Sequence, residues 1–308
     1  MKKFYKAVLF GNGTMGERHR IFFEKSGVCF VRIFDKDDLE NDGRIRASLL
    51  DEFISNEKID FAVIASPATT HYSYAKICLE RKISVFVEKP LAVSGAEAQE
   101  LVDLARRNGV TLFVAQSECF NPVFLNFRKH FVAELKLLMK KIHSGASDSV
   151  ETPARLEFRR EHKYSDRCRD VNVALDLMVH DLCLCLSMFR YDDLNVSEFS
   201  LSKNNDRAQM KIEVVKGEFI GTELDFIVDR NSENDVRTVS VEFARVAGMP
   251  SSNYSVSLAR HDENGDVLHV SDSLENEHRF FLRLMAGACS EWGDRVAQCA
   301  ADAVKILS

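Results

Sequence analysis

Three glycines within six residues, Gly11-Asn12-Gly13-Thr14-Met15-Gly16, form the first group whose spacing could do chemistry. The apolar run Ala7–Phe10 precedes them and a helical pattern follows, so the loop joins a strand to a helix. In that setting Gly11 makes the tight turn and Gly13 lets the backbone approach a pyrophosphate. Gly16 allows close helix–strand packing, and the helix N-terminus presents free N–H groups and a positive dipole to phosphate. Asp35 ends the next strand-like run, nineteen residues on (35 − 16). An acid at that distance accepts hydrogen bonds from ribose hydroxyls and repels a 2′-phosphate. The spacing predicts NAD, and the cation Lys36 beside it leaves NADP as the alternative.

Two further groups carry proton chemistry. Ser84-Val-Phe-Val87 runs straight into Glu88-Lys89-Pro90, which puts an amine on the strand edge where a nicotinamide would reach. Asp176 and His180 are i, i+4 on a helical pattern whose other residues are apolar. The acid can orient the imidazole for general acid–base work. Either His180 or Lys89 can be the base. The pair lacks a third ligand at metal spacing, so no metal is expected. A cationic stretch, Arg159-Arg160-Glu-His-Lys163-Tyr-Ser-Asp-Arg167-Cys-Arg169, lies just before this helix with Asn172. It reads as a solvated loop or as an anion clamp for a diphosphate or carboxylate, with Arg159, Arg167, Arg169 and Asn172 facing substrate.

The elements that position these groups alternate in type over the first 120 residues. Strand-like runs fall at Ala7–Phe10, Cys29–Phe34, Phe61–Ala65, Ser84–Val87 and Thr111–Ala115. Helical patterns fall at Thr14–Lys25, Ile45–Asn56, Thr70–Arg81 and Ala96–Asn108. Short strands that are apolar on both faces belong in a parallel sheet covered by helices, so the α/β alternation predicts a doubly wound sheet. Pro67, Pro90 and Pro122 stand after successive strands, where open α/β sheets bind ligands. Beyond Pro122 come a helix at Phe124–Ile142, a strand at Ala154–Arg159, a helix at Val173–Phe189, several strands between 196 and 270, and two last helices, Glu275–Cys289 and Asp294–Leu307. This predicts an α+β domain on a mostly antiparallel open sheet, with domains at 1–121 and 122–308.

The chain has 308 residues, 45% of them hydrophobic and 29% charged, which excludes a disordered polymer. A net charge of −6 argues against a nucleic-acid binder. No apolar run approaches the roughly 18 residues of a membrane span, so no membrane partner is expected. The N-terminus reads as a first strand, not a signal peptide. The eight cysteines mostly sit in apolar runs and read as free thiols of a reducing, cytoplasmic compartment.

Together these motifs resemble the Gfo/Idh/MocA oxidoreductases, and the resemblance covers essentially the whole chain. Gly11–Gly16 looks like the family's dinucleotide loop. Ala65-Ser66-Pro67-Ala-Thr-Thr-His71 is similar to its turn beside the cofactor, Glu88-Lys89-Pro90 to its catalytic-site signature, and Asp176 with His180 to the pair of its second domain. The resemblance implies an N-terminal Rossmann domain and an α/β second domain whose open sheet carries the oligomer interface of a homodimer or homotetramer. It implies an NAD(P)-dependent dehydrogenase that moves hydride between a sugar hydroxyl carbon and nicotinamide, with Ser66, Pro67, His71, Glu88 and Lys89 beside the cofactor. It also implies a cis Lys89–Pro90 peptide. Phe120-Asn-Pro122 and Val173–Asp181 look closest to nucleotide-sugar 3-dehydrogenases, although Cys119 stands where those carry arginine. Alternatives are a cyclitol or free-sugar dehydrogenase and a catalytically silent sensor of cofactor or sugar.

Overall fold

The computed structural model describes residues 4–38, 53, 57–144, 150–165, 169–246, 252–259, 267, 272–288 and 290–308. The chain divides into two compact units, Met1–Gln116 with Leu274–Ser308, and Ser117–Ser273.

In the first unit β1 (Tyr5–Phe10), β2 (Val28–Phe34), β3 (Phe61–Ile64), β4 (Ser84–Glu88) and β5 (Leu112–Ala115) form a sheet in the order β2-β1-β3-β4-β5. Every pairing is parallel. The residues of β3, β4 and β5 are all buried, as two covered faces require. Helices α1 (Thr14–Lys25), α2 (His71–Glu80) and α3 (Gly95–Asn108) make the crossovers. The expected helix Ile45–Asn56 lies, apart from residue 53, outside the described residues. Strand order reverses at β1, so the ligand-binding switch point of this sheet lies between the carboxyl ends of β1 and β3.

The last two helices, α6 (Ser273–Met285) and α7 (Ser290–Ile306), correct the expected domain division. They pack with the first unit, not the second. Phe281 of α6 is fully buried and its ring lies 5.0–5.6 Å from those of Phe61, Phe86 and Phe113. Helix α7 passes so close to α3 that a Cβ on Gly95 would stand 2.7 Å from Lys305. The apolar stripes of both helices thus cover a sheet laid down some 200 residues earlier in the chain (273 − 61 = 212).

The second unit has strands β6 (Ala154–Glu161), β7 (Leu194–Leu201), β8 (Arg207–Val214), β9 (Glu223–Asp229), β10 (Val236–Phe243) and β11 (Tyr254–Ser257). Their order is β11-β10-β6-β9-β8-β7, with β6–β9 parallel and the other pairs antiparallel. One face is apolar, with Leu156, Phe158, Met210, Phe226, Val239 and Val241 buried. Helix α4 (Pro122–His143) belongs to this unit. The helix expected at Val173–Phe189 is a π turn, Ala174–Met178, that continues as α5 (Val179–Leu186).

Among the described residues no helix is long and apolar enough to cross a membrane. Among the described residues, cysteines 29, 78, 119, 183, 185 and 299 form no disulfide, and the first four after Cys29 are buried.

Candidate active site

The glycine loop has the geometry its spacing predicts. Gly11 sits at φ +86°, and a Cβ on it would fall 2.7 Å from the Ser66 backbone. The loop therefore touches the end of β3 at the switch point, which only glycine permits. A Cβ on Gly16 would fall 1.9 Å from the Gly11 carbonyl, so α1 leaves its strand as closely as backbones allow. Gly13 caps α1 with no side-chain hydrogen bond, and nothing stands within 4 Å of where its Cβ would be. Thr14, which opens α1, is exposed and Met15 is half-buried. Asn12 Oδ1 is buried with no hydrogen-bond partner among the described residues. An uncapped helix end, an open backbone cradle and an unused acceptor are what a dinucleotide pyrophosphate would complete, so these residues fit NAD.

Asp35 follows β2 next to this loop, since Gly11 N donates to Phe34 O at 2.8 Å. Its Oδ1 accepts from Lys36 N at 2.8 Å, and the side chain is otherwise exposed, as is Lys36. The carboxylate is held by its own turn beside the glycine loop. Asp35→Ala is expected to weaken NAD(H) binding by about 10–100-fold, the range of hydrogen bonds to a charged group. NADP(H) binding should fall less. Titration calorimetry checks this, and equal losses for both would remove Asp35 from the ribose site.

At the same sheet edge the ends of β3 and β4 are tied together. His71 Nδ1 donates to Pro90 O at 2.7 Å and Nε2 to Ser66 O at 2.8 Å. Carbonyl oxygens only accept, so both ring nitrogens donate and the ring is a clasp between two loops. The hydroxyl of Ser66 donates to that of Thr70 at 2.7 Å, and Thr70 donates to Pro67 O. The Lys89–Pro90 peptide is cis. Glu88 is buried, with Oε1 2.8 Å from His19 Nε2 and Oε2 accepting from Lys89 N at 3.1 Å. Burial raises its pKa, but the His19 bond and the charges of His19, Lys89 and His71 outweigh this and hold the carboxyl below the usual range. His71 and Glu88 were expected to face the cofactor. Their polar atoms instead hold the strand ends, and Pro67 is exposed on its turn. Lys89 alone of this motif is half-buried, at the rim.

His19 continues inward. Its Nδ1 lies 2.8 Å from Nε2 of His278 on α6, a ring 1% exposed. Burial, then the neighbouring His19, pushes the His278 pKa from the ordinary 6.5 down to about 3. The folded ring stays neutral where the unfolded one takes up a proton. Its stabilisation is therefore complete above pH 6.5 and lost progressively as pH falls from 6.5 toward 3. Urea unfolding between pH 7 and pH 5 should show stability falling by up to about 1.4 kcal/mol per pH unit from this group. His278→Gln should flatten that slope.

In the second unit Asp176 is buried on the π turn and His180 is half-buried on the first turn of α5. Asn172, expected at substrate, accepts from Leu175 N at 3.0 Å and so caps this helix. Arg230, which the sequence did not single out, brings Nη1 to 3.6 Å from Asp176 Oδ2 and donates from Nε to Asp206 at 2.9 Å. Arg169 joins the same network by donating to Asp206, and stacks over Tyr164. Its Nη2 is buried with no hydrogen-bond partner among the described residues.

Strand pleat corrects the assignment of Arg159. It lies on the outer face between Glu157 and Glu161, at 3.0 and 2.9 Å, away from the apolar face of β6. The next residue, Arg160, is in phase with Leu156 and Phe158 and points inward. It is 4% exposed and pairs with Asp181 at 2.7 Å and Glu118 at 3.3 Å. Arg237 also binds Glu118, at 2.8 Å. Neighbouring Cys119 is buried. The period-two alternation of β6 is the signal that could have distinguished Arg160 from Arg159. Arg167 lies outside the described residues.

Comparison with known proteins agrees with this geometry. Residues 5–116 match the family model GFO_IDH_MocA, an oxidoreductase family with an NAD-binding Rossmann fold. The chain is 23% identical over 153 residues to UDP-N-acetylglucosamine 3-dehydrogenase of Acidithiobacillus ferrooxidans, covering 50% of this chain and 43% of that one. The sequence match thus spans less than half of this curated relative. A solved structure of UDP-N-acetylglucosamine 3-dehydrogenase from Acidithiobacillus ferrooxidans superposes with a TM-score of 0.69 at 19% identity, over 99% of this chain and 97% of that chain. The structure of GenD2 from gentamicin A biosynthesis, in complex with NAD, gives 0.73 at 19% identity, over 99% and 92%. These two likenesses show a shared fold along both units. With the open glycine cradle and the family match, residues 5–116 form an NAD-binding Rossmann domain similar to that of the Gfo/Idh/MocA oxidoreductases.

Proposed function

We propose that the protein is an NAD(P)-dependent dehydrogenase that oxidises a secondary hydroxyl of a sugar, in the class that includes nucleotide sugars. The observation that carries this reading is the placement of Lys89 at the rim of β4, on the same sheet edge as the open glycine cradle. When bound, NAD accepts hydride from the carbinol carbon. The first N–H groups of α1 hold the pyrophosphate, and Asp35 holds the adenosine ribose. Lys89 and His180 are the proton-handling groups, one accepting the hydroxyl proton and Lys89 also stabilising the developing alkoxide. Asp176 orients His180. Asp176 is fixed in turn by Arg230, which supports a rigid rather than a solvated acid.

The relatives' names support a nucleotide sugar. Arg169, with one buried guanidinium nitrogen unused among the described residues, is the cation that would read its negative charge. Arg169→Ala should raise KM for a charged sugar about tenfold or more and leave NAD affinity alone; unchanged kinetics would return Arg169 to a structural role. The outer sheet face of the second unit is proposed to pair copies of the chain, and exposed Val196, Phe199 and Leu201 on edge strand β7 support this. The deciding experiment is a panel of sugars and nucleotide sugars incubated with NAD and followed by NADH absorbance. Turnover of one class identifies the substrate. NAD binding without turnover of any sugar would overturn the dehydrogenase reading in favour of a silent sensor.

A further inference from the structure

Three ionisable side chains form one buried line in the first unit. Glu88 Oε1, His19 Nε2, His19 Nδ1 and His278 Nε2 are joined by two contacts of 2.8 Å, and His278 Nδ1 lies 2.5 Å from Leu274 O. The direction of each bond follows from the acceptors. Leu274 O only accepts, so His278 Nδ1 donates. A neutral His278, consistent with its pKa near 3, then accepts at Nε2, and His19 Nδ1 is the donor. Glu88 is held as a carboxylate, so His19 Nε2 donates as well. The other Glu88 oxygen takes the backbone N–H of Lys89. His19 thus donates in both directions, to His278 on α6 and to Glu88, and Glu88 accepts from both His19 and the Lys89 backbone.

Packing keeps the line in place. His278 is stacked between Phe22 and Phe86, at 5.0 and 5.3 Å, and Phe86 lies on β4 two residues before Glu88. His19 is wholly buried on α1 and meets Phe86 edge-on at 5.0 Å. In a dry site a ring N–H without an acceptor is costly, so the identity of His278 decides which way His19 turns. From the other side, His71 holds Pro90 O. Lys89 is therefore gripped through both of its chain neighbours.

We infer that His278, acting through His19 and Glu88, is a positioning residue for Lys89, so that a residue from the last tenth of the chain completes the catalytic unit built by the first third. His278 touches neither cofactor nor substrate in this role. It fixes the orientation of the His19 ring, His19 fixes the carboxylate of Glu88, and Glu88 fixes the backbone at the lysine. The arrangement uses the same logic as an acid that orients a catalytic imidazole, with one more link.

The test compares His278→Leu with His278→Gln in the full chain. Leucine fills the space and removes the acceptor, while glutamine can present an oxygen near the place of Nε2. His278→Leu is expected to lower kcat by up to about 10²-fold, the cost of a misplaced reacting group, with NAD affinity within twofold of wild type. His278→Gln should recover most of that loss. Wild-type kcat in the leucine variant would overturn the inference. So would equal losses in both variants, or losses that track NAD affinity, because a purely structural histidine would give those. This kinetic arm rests on the dehydrogenase reading. A second arm does not: nitrogen-15 spectra of the imidazoles in the wild-type protein should show His278 protonated at Nδ1 alone, with the proton of the His19–His278 bond on His19 Nδ1. A His278 protonated at Nε2, with His19 Nδ1 bare, would overturn the inference even if no sugar is ever turned over.

Discussion

Lys89→Ala and His180→Ala should each lower kcat by about 10²–10⁴-fold on the sugar identified by the panel, while NAD still binds. That is the usual contribution of a positioned general base, about 2.7–5.5 kcal/mol of barrier. Both side chains are half-buried and both stand among buried neighbours, Val87 and Pro90 for one, Val179 and Asp181 for the other. Neither substitution removes a core side chain, so thermal unfolding should stay close to wild type. If the two groups serve one proton transfer, the double variant will be little worse than the poorer single one. Simple multiplication of the two losses would mean that they act in separate steps. Stopped-flow measurement of NADH formation, with NAD affinity taken separately, distinguishes these outcomes.

Arg160→Met should be the most destabilising single change in the second unit outside its apolar core. Desolvation of Arg160 opposes its charge, but the carboxylates of Asp181 and Glu118 outweigh that and keep the guanidinium ionised. Removing it leaves a buried aspartate and a buried glutamate with the half-exposed Arg237 as their cation and the Asn121 amide still donating to Glu118. Breaking a buried pair in this way costs about 3–5 kcal/mol, which should appear as a lower urea midpoint with an unchanged slope. Adding Asp181→Leu and Glu118→Gln should return part of the loss, because the unpaired charges then go too. The exposed pair Arg155–Glu223 is the control: Arg155→Met there should cost under about 1 kcal/mol. Equal costs at the two arginines would show that the buried cluster is solvated.

The sequence by itself determined the parts of the site that a single βα unit builds. Strand, loop and helix are contiguous there, so the order Ala7–Phe10, Gly11–Gly16, α1 carries the phosphate cradle without help from distant chain. The positions of Asp35 and Lys89 were legible for the same reason, each being the residue where a strand of the parallel sheet runs out. The division of the sheets followed from periodicity, apolar on both faces in β3 to β5 and alternating in β6 and β8. Only the tertiary structure decided what each polar residue faces. Glu88 and His71 look like cofactor ligands when read beside Lys89. They prove to be clasps because His19, His278 and the Pro90 and Ser66 carbonyls come to them from other elements. Arg159 and Arg160 are adjacent letters, yet one is half-exposed on the outer face and the other is sealed against Asp181 and Glu118. The final helices follow the second unit in sequence and belong to the first in space. A hydrogen bond or an ion pair is satisfied by whatever the fold brings within about 3 Å, and sequence distance places no bound on that. His19 and His278, 259 residues apart, meet because burying Phe281 against the first sheet carries α6 back to it.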